Sequence, residues 1–111
     1  MNFDSNLECV LFDLDGTLVD TAPDFVYALN NLLQEQKRTP INAKAISSKV
    51  SDGARELIKF GFEIDDNHKH FKDLIKKFLK IYDKKLETTE SILYPGIEEL
   101  LSALNNNHIP W

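Results

Sequence analysis

Residues 9–24 read CVLFDLDGTLVDTAPD. The apolar run within residues 8–13 is rich in β-branched and aromatic types and ends at a glycine-containing turn, as a short buried strand does. Three carboxylates, Asp13, Asp15 and Asp20, follow it directly. Acids just past the carboxyl end of a strand stand where open α/β sheets hold ligands, in the crevice beyond the strand tips. The stretch therefore predicts a short strand that leads straight into a cluster of acids.

Beyond Asp20 the pattern turns helical. Thr21 with Asp24 three positions on, and Pro23 in the first turn, resembles a capping box. Phe25, Val26, Leu29, Leu32 and Leu33 then recur at helical spacing, which predicts an amphipathic helix over 22–36. Thr39-Pro40 interrupts the pattern, because the residue before a proline is pushed out of the helical region. Short helices are predicted over 42–47 and 53–60, the second closed by Gly61 in a left-handed conformation. Asp65 or Asp66 is expected to open the longest helix, in which Phe71, Leu74, Ile75, Phe78, Leu79, Tyr82 and Leu86 share a face. Lys72, Lys76, Lys77, Lys80 and Lys84 line the other face, which in the simplest reading is solvated. Glu87 to Ser91 reads as a linker, and Ile97, Leu100, Leu101 and Leu104 mark a last helix after the Tyr94-Pro95-Gly96 turn.

The 111 residues suit one small domain or part of a larger one. With 13 basic and 18 acidic residues the net charge is −5, which offers no electrostatic footprint for nucleic acid or an anionic membrane. Cys9 is the single cysteine, so no internal disulfide forms, and its place in the apolar run predicts burial. No apolar stretch approaches the ~20 residues needed to cross a bilayer, and no basic leader opens the chain. A cytoplasmic location is expected. His68 and His70, two apart, would fall on different helix faces and are read as surface residues rather than a metal pair.

The acids suggest a division of labour. In a DxD arrangement one carboxylate attacks phosphorus, while its neighbour protonates the leaving oxygen and later activates water. Gly16 lets the backbone turn so that amides face phosphate oxygens. An anionic nucleophile approaching an anionic phosphate calls for a divalent cation, and Mg2+ prefers such an all-oxygen set. On the bare DxDG the alternative stands level: Asp15-Gly16 is a plain turn, with Asp13 and Asp20 bonding its backbone.

The full stretch Val10-Leu11-Phe12-Asp13-Leu14-Asp15-Gly16-Thr17-Leu18-Val19-Asp20 resembles the first motif of the haloacid dehalogenase (HAD) superfamily, an apolar strand followed by DxDGT(L/V). The resemblance implies an α/β, Rossmann-like core with an α-helical cap domain. It implies that Asp13 is the nucleophile and a magnesium ligand, and that Asp15 is the general acid/base and also contacts the metal. The phosphate site then involves Leu14, Gly16 and Thr17. An acid at Asp15 favours a phosphatase or phosphomutase over a carbon–halogen hydrolase. Residues 50–58 are similar to a segment of phosphoglycolate phosphatase-like members that reaches over the active site, where Arg55 would meet the substrate's distal anionic group. A surface helix arginine is the equal alternative.

On this resemblance, residues 1–20 are the first core strand and catalytic loop, 21–91 the cap domain, and 92–111 the return to the core. The family's second core strand, its phosphate-binding lysine and its further acids lie beyond Ile109-Pro110-Trp111. This chain is therefore expected to be mostly helical with one core strand, and inactive alone. The expected substrate is a small phosphorylated metabolite, with a sugar phosphate as near alternative. A non-catalytic helical module that self-associates through its unpaired strand is the competing reading.

Overall fold

The predicted apolar faces meet in a helical bundle. In the computed structural model, which describes residues 1–111, α1 spans Ala22–Glu35, α2 Ala43–Ser47, α3 Ala54–Phe62 and α4 Phe71–Lys85. Phe25, Ala28, Leu29, Leu32 and Leu33 of α1 are buried against Leu57 and Ile58 of α3 and Phe71, Leu74 and Phe78 of α4. Phe25 stacks on Tyr82 at 4.5 Å and on Phe78 at 6.0 Å between ring centroids, a face-to-face column joining α1 to α4. Toward the end of α4 the predicted apolar face thins: Leu79 and Leu86 are 42% and 44% exposed. The loop after α1 is pinned by Asn30, whose amide side chain accepts from Ile41 N at 2.8 Å and donates to Ile41 O at 3.0 Å. Asn42 opens α2 by accepting from Lys44 N at 2.8 Å.

Outside the bundle stand two short strands, β1 (Val19–Asp20) and β2 (Ile92–Leu93), and a last helix, α5 (Ile97–Asn106). The strands pair antiparallel, Val19 with Leu93 and Asp20 with Ile92. They lie where the chain enters and leaves the bundle. Leu104 and Ile109 are buried beyond them, and Phe12 meets the Trp111 ring edge-on at 6.4 Å. The radius of gyration is 17.4 Å, against about 13 Å for a compact chain of this length. The molecule is thus elongated, with the strand pair between its two lobes.

Several expectations need correction. Residues 8–13 form no strand, since no neighbouring strand is present to complete a ladder; Val10 N donates to Pro110 O at 3.0 Å. Cys9 is consequently exposed rather than buried, because nothing packs over it. Gly61 does not end α3. It lies inside that helix, where Leu29 presses so close that an ideal Cβ would stand 2.9 Å from Leu29 Cδ1. The left-handed closing residue is Glu63, at φ 55°. His70, not Asp65 or Asp66, precedes the first turn of α4, and His68 lies in the turn before it. Thr21 makes no capping bond at the start of α1, where it takes helical φ −88° and ψ −2° rather than the extended geometry of a cap, and its buried hydroxyl is unpartnered.

Candidate active site

The acids of the opening stretch sit on a tightly wound turn. Leu14 O accepts from the amides of Thr17 at 3.3 Å, Leu18 at 3.1 Å and Val19 at 3.1 Å, while Gly16 N donates to Val19 O at 3.0 Å. Gly16 takes φ +77°, a conformation that a residue without Cβ adopts at no steric cost. Leu18 is buried and anchors the turn, leaving Asp13, Leu14, Gly16 and Thr17 exposed and Asp15 half-buried. Asp13 Oδ1 accepts from Leu14 N at 3.0 Å, which holds that carboxylate against the turn.

The bundle overhangs this loop at Ser51. The helical turn Val50–Asp52 brings Ser51 over Gly16, where an ideal glycine Cβ would lie 3.6 Å from Ser51 Cβ. Gly53, at φ 92° and ψ 173°, supplies the sharp entry from that turn into α3. On α4, Tyr82 stacks on Phe25 in the aromatic column. Burial pushes its phenol up, and the charges of Asp15, Asp24 and Asp83 push it further.

Arg55 stands apart from the acids. Its guanidinium lies 3.7 Å from Asp66 and 5.0 Å from the Phe71 ring centre, and its side chain is 66% exposed. No contact joins it to Asp13 or Asp15. No group of three or more His, Cys, Asp or Glu side chains gathers to enclose a metal. The donors that the loop offers are the two carboxylates of Asp13 and Asp15.

Asp20 Oδ1 accepts from Ala22 N at 3.3 Å at the entry to the bundle. Asp24, one turn on, is the residue that sequence reasoning misjudged. Its fully buried carboxylate reaches across to the exit segment, accepting from Ser91 Oγ at 2.7 Å, Glu90 N at 3.1 Å and Thr89 Oγ1. Burial alone would raise its pKa, but the Thr89, Glu90 and Ser91 hydrogen bonds and the charge of Lys85 outweigh it and hold the carboxyl below its ordinary value. Lys85 pairs with Glu90 at 2.9 Å and lies 4.8 Å from the Tyr27 ring centre, closing the same junction. The hydroxyls of the run Glu87 to Ser91 were the available signal, but their partner is 65 to 67 residues away.

A cavity of about 410 Å³ lies at the far end of the bundle, lined by Arg38, Phe62, His68, His70 and Lys77 among others. Its cations are already engaged, Arg38 with Phe62 O at 3.4 Å and Lys77 with Asp73 at 3.0 Å. The exposed loop beside β1 is therefore the better candidate site.

Comparison with known proteins shows the family. A family model described as haloacid dehalogenase-like hydrolase matches residues 10–111. A phosphoglycolate phosphatase of Nitrosospira multiformis is 34% identical over 107 residues, covering 94% of this chain and 47% of the relative. An N-acetylmuramic acid 6-phosphate phosphatase of Pseudomonas putida is 34% identical over 105 residues, with 95% and 47% covered. A phosphoglycolate phosphatase of Caulobacter vibrioides is 38% identical over 104 residues, with 91% and 44% covered. The chain thus spans about half the length of these curated relatives, and no solved structure matches it. With the matched model beginning at Val10, at the head of the acid-bearing stretch, this chain belongs to the haloacid dehalogenase-like hydrolases.

Proposed function

We propose that this chain carries the nucleophile loop and helical cap domain of a phosphatase acting on small phosphorylated metabolites. The observation that carries the proposal is the loop itself: Asp13 and Asp15 flank one exposed turn whose Gly16 is overhung by Ser51. Asp13 attacks phosphorus, forming an aspartyl-phosphate as the alkoxide leaves. Asp15 gives that oxygen its proton and then takes one from the water that hydrolyses the acyl phosphate. Residues 21–91 act as the cap domain, and Ser51 reaches over Gly16 of the loop from it.

The donor set fits magnesium in kind. That ion takes one or two carboxylates and keeps several waters, so the Asp13 carboxylate and the Asp15 main-chain carbonyl would hold it. When bound it would neutralise phosphate charge and admit the anionic nucleophile. A phosphoglycolate-type substrate is favoured by the relatives' names, and a sugar 6-phosphate is the near alternative. The reading carries with it the expectation of a cytoplasmic enzyme. No helix is long and apolar enough to cross a membrane.

A phosphate-binding lysine has no candidate beside the loop among these residues, so we expect the 111-residue chain to hydrolyse phosphate esters negligibly by itself. The test is an amide-resolved NMR titration with Mg2+ and inorganic phosphate. Saturable shifts are expected over residues 13–17, and Asp13→Asn should remove them. Shifts confined to other residues refute the site. Robust magnesium-dependent turnover of p-nitrophenyl phosphate, lost in Asp13→Asn, would keep the nucleophile and refute the incompleteness. A second reading rests on Leu11, 91% exposed on a segment that forms no strand: self-association through residues 8–13, which light scattering as a function of concentration detects.

A further inference from the structure

We infer that Asp24 is a positioning residue that sets the nucleophile loop from across the junction between the two lobes. A pair of two-residue strands is too short to hold itself together in water. Something else must fix β2 against β1, and the buried Asp24 carboxylate is placed to do it. Its three acceptor bonds, from Thr89 Oγ1, Glu90 N and Ser91 Oγ, fasten the chain immediately before Ile92. Ile92 and Leu93 pair with Asp20 and Val19, and Tyr94 N donates to Leu18 O at 3.1 Å. Val19 is shared: its carbonyl accepts from Gly16 N at 3.0 Å and its amide donates to Leu14 O at 3.1 Å. Hydrogen bonds joined by short stretches of backbone therefore connect a carboxylate in α1 to the glycine amide of the loop.

Charged hydrogen bonds of this kind are strong, and a carboxylate with three donors and no solvent has no alternative partners. Releasing the clasp frees the exit segment, frays β2 from β1 and loosens Gly16 N. The significance for catalysis rests on the reading of Asp13 to Thr17 as the phosphate-handling loop. The mechanical coupling does not.

Hydrogen exchange on the 111-residue chain tests the coupling without any need for turnover. Asp24→Asn leaves one acceptor oxygen where three donors converge, and Ser91→Ala removes one donor from outside the helices. Both should speed exchange at the Gly16 and Val19 amides, Asp24→Asn by roughly 10- to 100-fold. Amides at Leu57 and Phe78, in the middle of the bundle, should keep their rates within about threefold, a margin smaller than one strong hydrogen bond supplies. Equal acceleration of loop and bundle amides in both variants, or an unchanged Gly16, overturns the inference. Phosphate titration of the wild-type chain judges the loop's chemistry separately, so failure there and failure here are distinguishable.

Discussion

Gly61→Ala is the sharpest probe of how the bundle is packed. A glycine inside an exposed helix costs about 1 kcal/mol relative to alanine, so on propensity alone the change stabilises α3. Here the new Cβ would stand 2.9 Å from Leu29 Cδ1, 3.3 Å from Cδ2 and 3.4 Å from Cγ. Leu29 is fully buried, so its methyls have no open space to enter. Overpacking of this kind costs about 1–3 kcal/mol, leaving a net loss near 1 kcal/mol. Leu29→Ala alone should cost about 2–5 kcal/mol. In that background the clash is gone, and Gly61→Ala should stabilise by about 1 kcal/mol. The double-mutant cycle therefore predicts a coupling of about 2 kcal/mol with a change of sign. Urea unfolding followed by far-UV circular dichroism measures all four corners. Stabilisation by Gly61→Ala in the wild-type background, or strict additivity, would refute the close approach of α3 to α1.

Two further outcomes concern the junction and the loop. The Asp24 carboxyl titrates below its ordinary 3.8 in the folded state. Its contribution is thus fully present above that value and is lost as pH falls through the lowered one. Asp24→Asn should shrink the stability difference between pH 7 and pH 3 in urea titrations, and an undiminished acid limb would contradict this. Gly16→Ala should cost about 1–2 kcal/mol through its positive φ. Because Ser51 Cβ would sit at an ordinary 3.6 Å, a second change, Ser51→Gly, should not rescue it; rescue would mean that a clash, not the backbone, sets the cost.

The helices were legible in the sequence because each has a buried face of its own: Leu29, Leu32 and Leu33 in α1, and Phe71, Leu74 and Phe78 in α4, announce themselves by spacing. The acid-bearing turn was legible because its backbone bonds are local, from Leu14 to Val19. What failed depended on partners far along the chain. Thr21 and Asp24 satisfy a local capping pattern, yet contacts with Thr89, Glu90 and Ser91 capture the carboxylate and no capping bond forms. Gly61 sits where a helix-ending glycine is plausible, and only the position of Leu29 shows that its missing Cβ makes room for a neighbour. The apolar run around Val10 has strand composition but no ladder to join, since hydrogen bonding needs a second strand and composition does not supply one.

The edge-on contact of Trp111 with Phe12 gives the chain two independent optical reporters. Trp111 is the single tryptophan and lies in the lobe outside the bundle, with its indole N–H donating to Asn105 Oδ1 at 3.0 Å. Its fluorescence reads that lobe. Helices α1 to α4 supply most of the helical residues, so far-UV dichroism reads the bundle. Coincident melting curves would make the molecule one cooperative unit, and separated curves would make it two. Unlabelled protein therefore suffices to tell whether the lobes unfold together.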